Sequence, residues 1–213
     1  MTIFRPTRLL CAAIAAAAAL PAAALAQPAN PPRSAPDPAA ELTAPDREVL
    51  AIAEQLAADT GQRIEQWIAS QSISEDRMFA RFYYPIAKTD PQKYTTDYDK
   101  LADRDLVALE DRALDRAATF QYAIVTDVNG YAPAFNHRFA QPLTGDLARD
   151  YVNSRSKRLL GDPGALAAGR SETHYLLQRT RNDQGDVIYD LSVPIVVRGK
   201  HWGCARIGYR RAE

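Results

Sequence analysis

The sequence has little cysteine, little histidine and no excess of charge of either sign. Two cysteines, Cys11 and Cys204, in 213 residues exclude a multi-disulfide scaffold. The three histidines, His137, His174 and His201, include no pair at i,i+4 spacing, and no Cys-x-x-Cys-His is present, so no metal is expected. Twenty-six basic side chains balance twenty-six acidic ones, which argues against a nucleic-acid surface or a polybasic membrane face. A phosphate-cradling glycine loop is missing. No nucleophile elbow surrounds Ser192 or Cys204, so neither catalysis nor a cofactor is expected. Asp127-Val-Asn-Gly130 opens like a calcium loop, but the later ligands do not follow.

What is present begins with an address. Arg5 and Arg8 precede an apolar run from Leu9 to Leu20, and Ala24-Leu25-Ala26 puts small residues before Gln27. Residues 1–26 thus read as a cleaved signal peptide, since the run falls short of the about 20 residues of a spanning helix. Its removal leaves 187 residues with 24 basic and 26 acidic groups, because Arg5 and Arg8 are its only charges. The remaining chain has a single thiol, Cys204, and is long enough for one domain with one core. An Arg/Ala/Asp-rich, Lys-poor composition points to a bacterium with a GC-rich genome, and hence to the periplasm.

Residues 27–45 hold six prolines among small and polar residues and read as an extended linker. The single domain is expected over 46–213. Thr43-Ala-Pro-Asp46 is a helix start, and Val49, Ile52, Leu56, Thr60, Ile64, Trp67 and Ile68 recur at helical spacing to about residue 70. That stripe needs a cover, either the domain or a second copy. A second helix is expected over 97–117. Tyr122–Thr126 and Tyr131–Phe135 read as a hairpin across Asn129-Gly130, and strands are expected near 174–181, 186–197 and 201–210. This order predicts an α+β, PAS-like domain: a five-stranded antiparallel sheet, a long N-terminal helix, and helices packed on one face.

The stretch from Ser74 to Arg210 resembles the extracytoplasmic Cache (PAS-like) sensor domain of bacterial methyl-accepting chemotaxis proteins. Ser74-Glu-Asp-Arg-Met-Phe79, Thr89-Asp-Pro-Gln-Lys-Tyr94, Thr126-Asp-Val-Asn-Gly-Tyr131 and Gln141-Pro-Leu-Thr-Gly-Asp146 carry the likeness, with Arg155-Ser-Lys-Arg158, Asp190-Leu-Ser-Val-Pro-Ile195 and His201-Trp-Gly203. The resemblance implies signal transduction by ligand sensing, and a homodimer through the N-terminal helix. The chain closes at Arg210-Arg-Ala-Glu213, where a receptor would enter a membrane helix. A stand-alone exported domain that acts through a membrane-bound receptor or another periplasmic protein is therefore expected. Phe135 and Ser154 stand where the family pattern has His and Asn.

The candidate site residues suit a small anionic or zwitterionic ligand. Arg155 and Arg158, with Asn136 nearby in sequence, would hold a carboxylate. Asp127 and Asp190 would take an ammonium group. Tyr84, Tyr122 and Tyr131 would wall the pocket. The alternative reading is a periplasmic protein-interaction module with a filled pocket, and a third is a haem or redox sensor.

Overall fold

The first turn of the first helix is fastened from both ends of the chain. In the computed structural model, which describes residues 42–181 and 185–211, α1 spans Ala44–Ala69. Thr43 and Asp46 form a reciprocal capping box, the Thr43 N–H donating to Asp46 Oδ2 at 2.8 Å. The same carboxylate accepts from the Tyr209 hydroxyl at 2.6 Å and from Arg211 Nη2 at 2.7 Å. Ala44 and Pro45, expected in the linker, therefore belong to the helix. The expected signal peptide and linker residues 27–41 lie outside the described residues.

The next segment is short elements: α2 (Glu75–Phe79), β1 (Tyr84–Pro85) paired with β2 (Tyr94–Thr95), α3 (Asp99–Asp105) and α4 (Val107–Leu114). The expected 97–117 helix is thus two helices meeting at Leu106. Strand β3 (Phe120–Asp127) leads to β4 (Tyr131–Ala132), α5 (Leu147–Asn153), β5 (Arg158–Leu159) and α6 (Pro163–Arg170). Strands β6 (Leu176–Arg181), β7 (Val187–Val197) and β8 (Lys200–Tyr209) close the described chain, matching the expected meander.

The main sheet has four antiparallel strands in the order β3-β8-β7-β6. The segment expected as its fifth strand does not join it; Tyr131 and Ala132 pair with Leu159 and Arg158 instead. Two local causes are visible. Asp127 Oδ1 accepts the N–H groups of Asn129 and Tyr131, at 2.9 and 3.0 Å, and Gly130 takes φ +75°, so the turn swings the chain off the edge. A β-carbon at Gly130 would also stand 2.5 Å from the Leu160 carbonyl oxygen. The outer edge of β3 is meanwhile met by side chains. Glu110 Oε1 accepts the Val125 N–H at 2.9 Å, and Asn136 Nδ2 donates to the Ala123 carbonyl at 3.2 Å.

Alternation along the strands gives the sheet two unlike faces. Leu191, Val193, Ile195, Ala205 and Ile207 pack with Val49, Ala53, Leu56 and Ile64 of α1 in the main core. The α1 stripe is thus covered by its own domain. Ile124, with Ala132 and Phe135, lies in a smaller apolar cluster on the opposite face, and α6 also packs there. Helices consequently cover both faces of the sheet rather than one. No helix among the described residues is long and apolar enough to cross a membrane.

Candidate functional site: a buried ion pair beneath α6

The face opposite α1 carries a row of residues set by the strand register. Gln178 of β6 lies beside Asp190 of β7, Asp190 beside Gly208 of β8, and Gly208 beside Tyr122 of β3. Gly208 leaves room for an aromatic ring: a β-carbon there would come within 2.2 Å of the Tyr122 ring. The next row holds Leu176, Ser192, Arg206 and Ile124. Arg206 reaches back one row to Asp190. Its Nε donates to Asp190 Oδ2 at 3.1 Å, and Nη2 donates to the same oxygen. Both residues are buried.

Helix α6 roofs this cluster. Asp162 caps it by accepting the Ala165 N–H at 2.9 Å, and Gln178 Nε2 donates to the Gly164 carbonyl at 3.0 Å. Thr180, two residues from Gln178 and on the same face, has a buried hydroxyl with no hydrogen-bond partner. The electrostatics are coupled. Burial works against the Arg206 charge, but the Asp190 carboxylate outweighs it and holds the guanidinium pKa well above its ordinary value. Burial, then the Asp190 charge, pushes the Tyr122 hydroxyl up, so it stays a neutral donor. Cys204 shares this face, and burial raises its thiol to about 11, which makes it a poor nucleophile.

Of the residues singled out from sequence, Tyr122 and Asp190 meet here. Asp127 and Tyr131 belong to a separate knot. Tyr83 donates to Asp127 Oδ2 at 2.6 Å and Tyr98 at 3.3 Å, while the Asn129 and Tyr131 N–H groups occupy Oδ1. The Tyr131 hydroxyl donates to Asp99 Oδ1 at 2.9 Å. Asn136 is buried against the β3 edge, and its Oδ1 has no partner. Tyr84 stands exposed in β1. Arg155 and Arg158 lie beyond the end of α5, where Lys157 takes φ +67°, so they are not carried by one helix. Lys157 turns inward to Asp103, at 2.6 Å. The expected site residues therefore fall into five places.

Arg206 is the residue that sequence reading missed. Its signal was a cation in the middle of the apolar, small-residue run Cys204-Ala-Arg-Ile-Gly-Tyr209, which demands an anionic neighbour inside a sheet. Two surface clefts lie elsewhere. One involves Asp111, Phe120, His137 and Arg138, the other Glu54, Ala57, Gly61 and Val196, and no expected site residue lines either. The histidines do not converge: His137 pairs with Asp111, His174 with Glu54, and His201 with the Gly203 carbonyl. No protein-family model matches the chain, and no curated protein matches it.

Proposed function

We propose that the chain is an exported, PAS-like sensor domain of the Cache type, which binds a small zwitterionic or anionic molecule beneath α6 and acts through a partner protein in the periplasm. The observation that carries this reading is the Asp190–Arg206 pair, buried beside Tyr122, with an unpartnered Thr180 hydroxyl one row further along the same face on the edge strand. A ligand carboxylate would take the Arg206 fork and a ligand ammonium the Asp190 carboxylate, so one internal contact is exchanged for two. Tyr122 walls the site and donates its hydroxyl. Binding rather than catalysis is supported by the two candidate nucleophiles, for burial raises the Cys204 thiol and Ser192 donates to the Leu176 carbonyl at 3.4 Å.

A second reading, the protein-interaction module, has one observation in its favour. Phe135, Ile124 and Ala132, with Phe139 and Leu160 against them, fill the neighbouring part of the same face. A homodimer through α1 would use the outer residues Ala51, Gln55, Ala58 and Gln62, because the apolar stripe is taken by the sheet. Light scattering reads that state directly.

Native mass spectrometry on gently purified protein, followed by calorimetric titration with amino acids and short dicarboxylates, tests the proposal. Saturable binding is expected, and the double variant Asp190→Leu with Arg206→Met should abolish it while remaining folded. Clean protein that binds none of these probes would overturn the sensor reading in favour of the interaction module.

A further inference from the structure

Helix α5 reverses the usual amphipathic arrangement. Its buried side chain is a carboxylate: Asp150 accepts the Thr144 N–H at 2.9 Å, the Thr144 hydroxyl at 2.7 Å and the Gly145 N–H at 2.9 Å. Its apolar side chains face solvent instead. Leu147 is 55% exposed, Tyr151 56% and Val152 40%. Leu147 and Tyr151 stand one turn apart on the same side. Large apolar groups gathered at the surface mark an interaction site more often than a lone exposed residue does.

Arginines frame this patch. The Arg158 guanidinium stacks on the Tyr151 ring at 4.4 Å and donates from Nη1 to the Tyr151 carbonyl at 2.9 Å. Arg155 donates from Nε to the Val152 carbonyl at 2.8 Å and covers one side of Phe139 at 4.9 Å. Arg138 lies over the same ring at 5.2 Å. Positive charge is crowded behind them. Burial, then the charges of Arg158 and Lys157, pushes the Lys93 ammonium pKa down.

We propose that α5 and the arginines around it dock an acidic, partly apolar segment of a partner protein. Carboxylates of that segment pair with Arg158 and Arg138, and an apolar side chain seats on Leu147, Tyr151 and Val152. A guanidinium fixed by a ring and a carbonyl presents its remaining donors in one plane, which suits a carboxylate and reduces the ordering cost of binding. Tyrosine and arginine are the residue types that carry most interface energy. An anionic membrane fits less well, because α5 has only seven residues and its three part-exposed apolar side chains offer little area to bury in a lipid interface. The proposal concerns a surface remote in sequence from Asp190 and Arg206, and it stands or falls without the ligand reading.

A fluorescent peptide with Glu on one helical face and Leu on the other, titrated by anisotropy against the purified chain, is the test. Saturable, salt-sensitive binding is expected. Tyr151→Ser and Arg158→Ala should each weaken it by about tenfold. Tyr84→Ser, which removes an exposed aromatic elsewhere, should leave it unchanged. These positions are exposed or half-buried, and an unchanged melting temperature verifies that each variant is folded. Failure of the acidic peptide to bind, or equal binding by all the variants, overturns the proposal. So does binding to phosphatidylglycerol vesicles that Tyr151→Ser abolishes, which would make the surface a membrane face.

Discussion

Asp127 and Asp190 are both buried carboxylates, on opposite faces of the sheet, yet they are satisfied in different ways. Asp127 is held by neutral donors: two tyrosine hydroxyls and two main-chain N–H groups, arranged by the turn that contains it. Asp190 is held chiefly by the charge of Arg206, arriving from another strand, with the Tyr122 hydroxyl beside it. A carboxylate wrapped by its own turn has no lone pair to offer and serves the fold. One that depends on a side-chain cation is matched to a partner that another ion pair can imitate. This difference is why the proposed ligand site sits at Asp190.

The largest expected effect comes from removing the cation. Arg206→Ala leaves the Asp190 charge buried and alone, at a cost of about 3–5 kcal/mol in urea unfolding. The double variant Asp190→Leu with Arg206→Met should recover nearly all of it. A double variant as unstable as the single one would mean that the pair is structural in its own right.

Glu110 extends the comparison to a carboxyl with one donor. Its Oε1 accepts the Val125 N–H, and its Oε2 is buried without a partner. Burial favours its neutral form and pushes its pKa well above the ordinary value, against the pull of that N–H, which favours the charged form. A raised native pKa gives stability that is complete below the unfolded value, about 4.3, and declines as pH climbs toward the native one. Glu110→Ala should cost about 2–3 kcal/mol. Glu110→Gln should stay within about 1 kcal/mol of wild type at neutral pH and lack the decline, as melting temperature against pH will record.

Asp127→Asn should cost only about 1–2 kcal/mol. The amide oxygen still accepts both main-chain N–H groups, and the tyrosine hydroxyls rotate to accept from the new NH2. Ligand titration should be unaffected, and a lost ligand would join the two regions into one site. The smallest effect is expected at Asp46, which mixes both modes. Burial opposes its charge, but hydrogen bonds from Arg211, Tyr209 and Thr43 hold its pKa below the ordinary carboxylate value. Its contribution is present above about pH 4 and lost as pH falls through the depressed native pKa. Arg211→Ala should remove about 1 kcal/mol and flatten that acid limb.

Regular periods were legible in the sequence. Val49, Leu56, Ile64 and Trp67 repeat at helical spacing and are buried along α1, and Thr43 and Asp46 cap it. Strands β6, β7 and β8 fell within a few residues of their expected ranges. The fifth strand failed because the Asn129-Gly130 turn and the apolar run Tyr131–Phe135 report that the chain reverses and is buried, not which edge it joins. Of the site, Asp190 and Tyr122 were legible as polar groups inside apolar strands. Arg155 and Arg158 do lie together, on neighbouring carbonyls of α5, but apart from Asp190 and Tyr122, and nearness in sequence could not place them relative to the sheet.

The local elements were readable from the amino acids alone: where α1 starts, where the chain turns at Asn129-Gly130, and how the last three strands follow one another. These depend on capping groups, turn residues and periods within a few positions, so the information is contiguous. Folding in three dimensions was needed for Gly208 to open a gap for Tyr122, for Arg206 to cross to Asp190, and for Glu110 and Asn136 to occupy the edge of β3. Each of those contacts joins residues more than ten positions apart, and their pairing follows from strand register and helix packing, which no local pattern encodes.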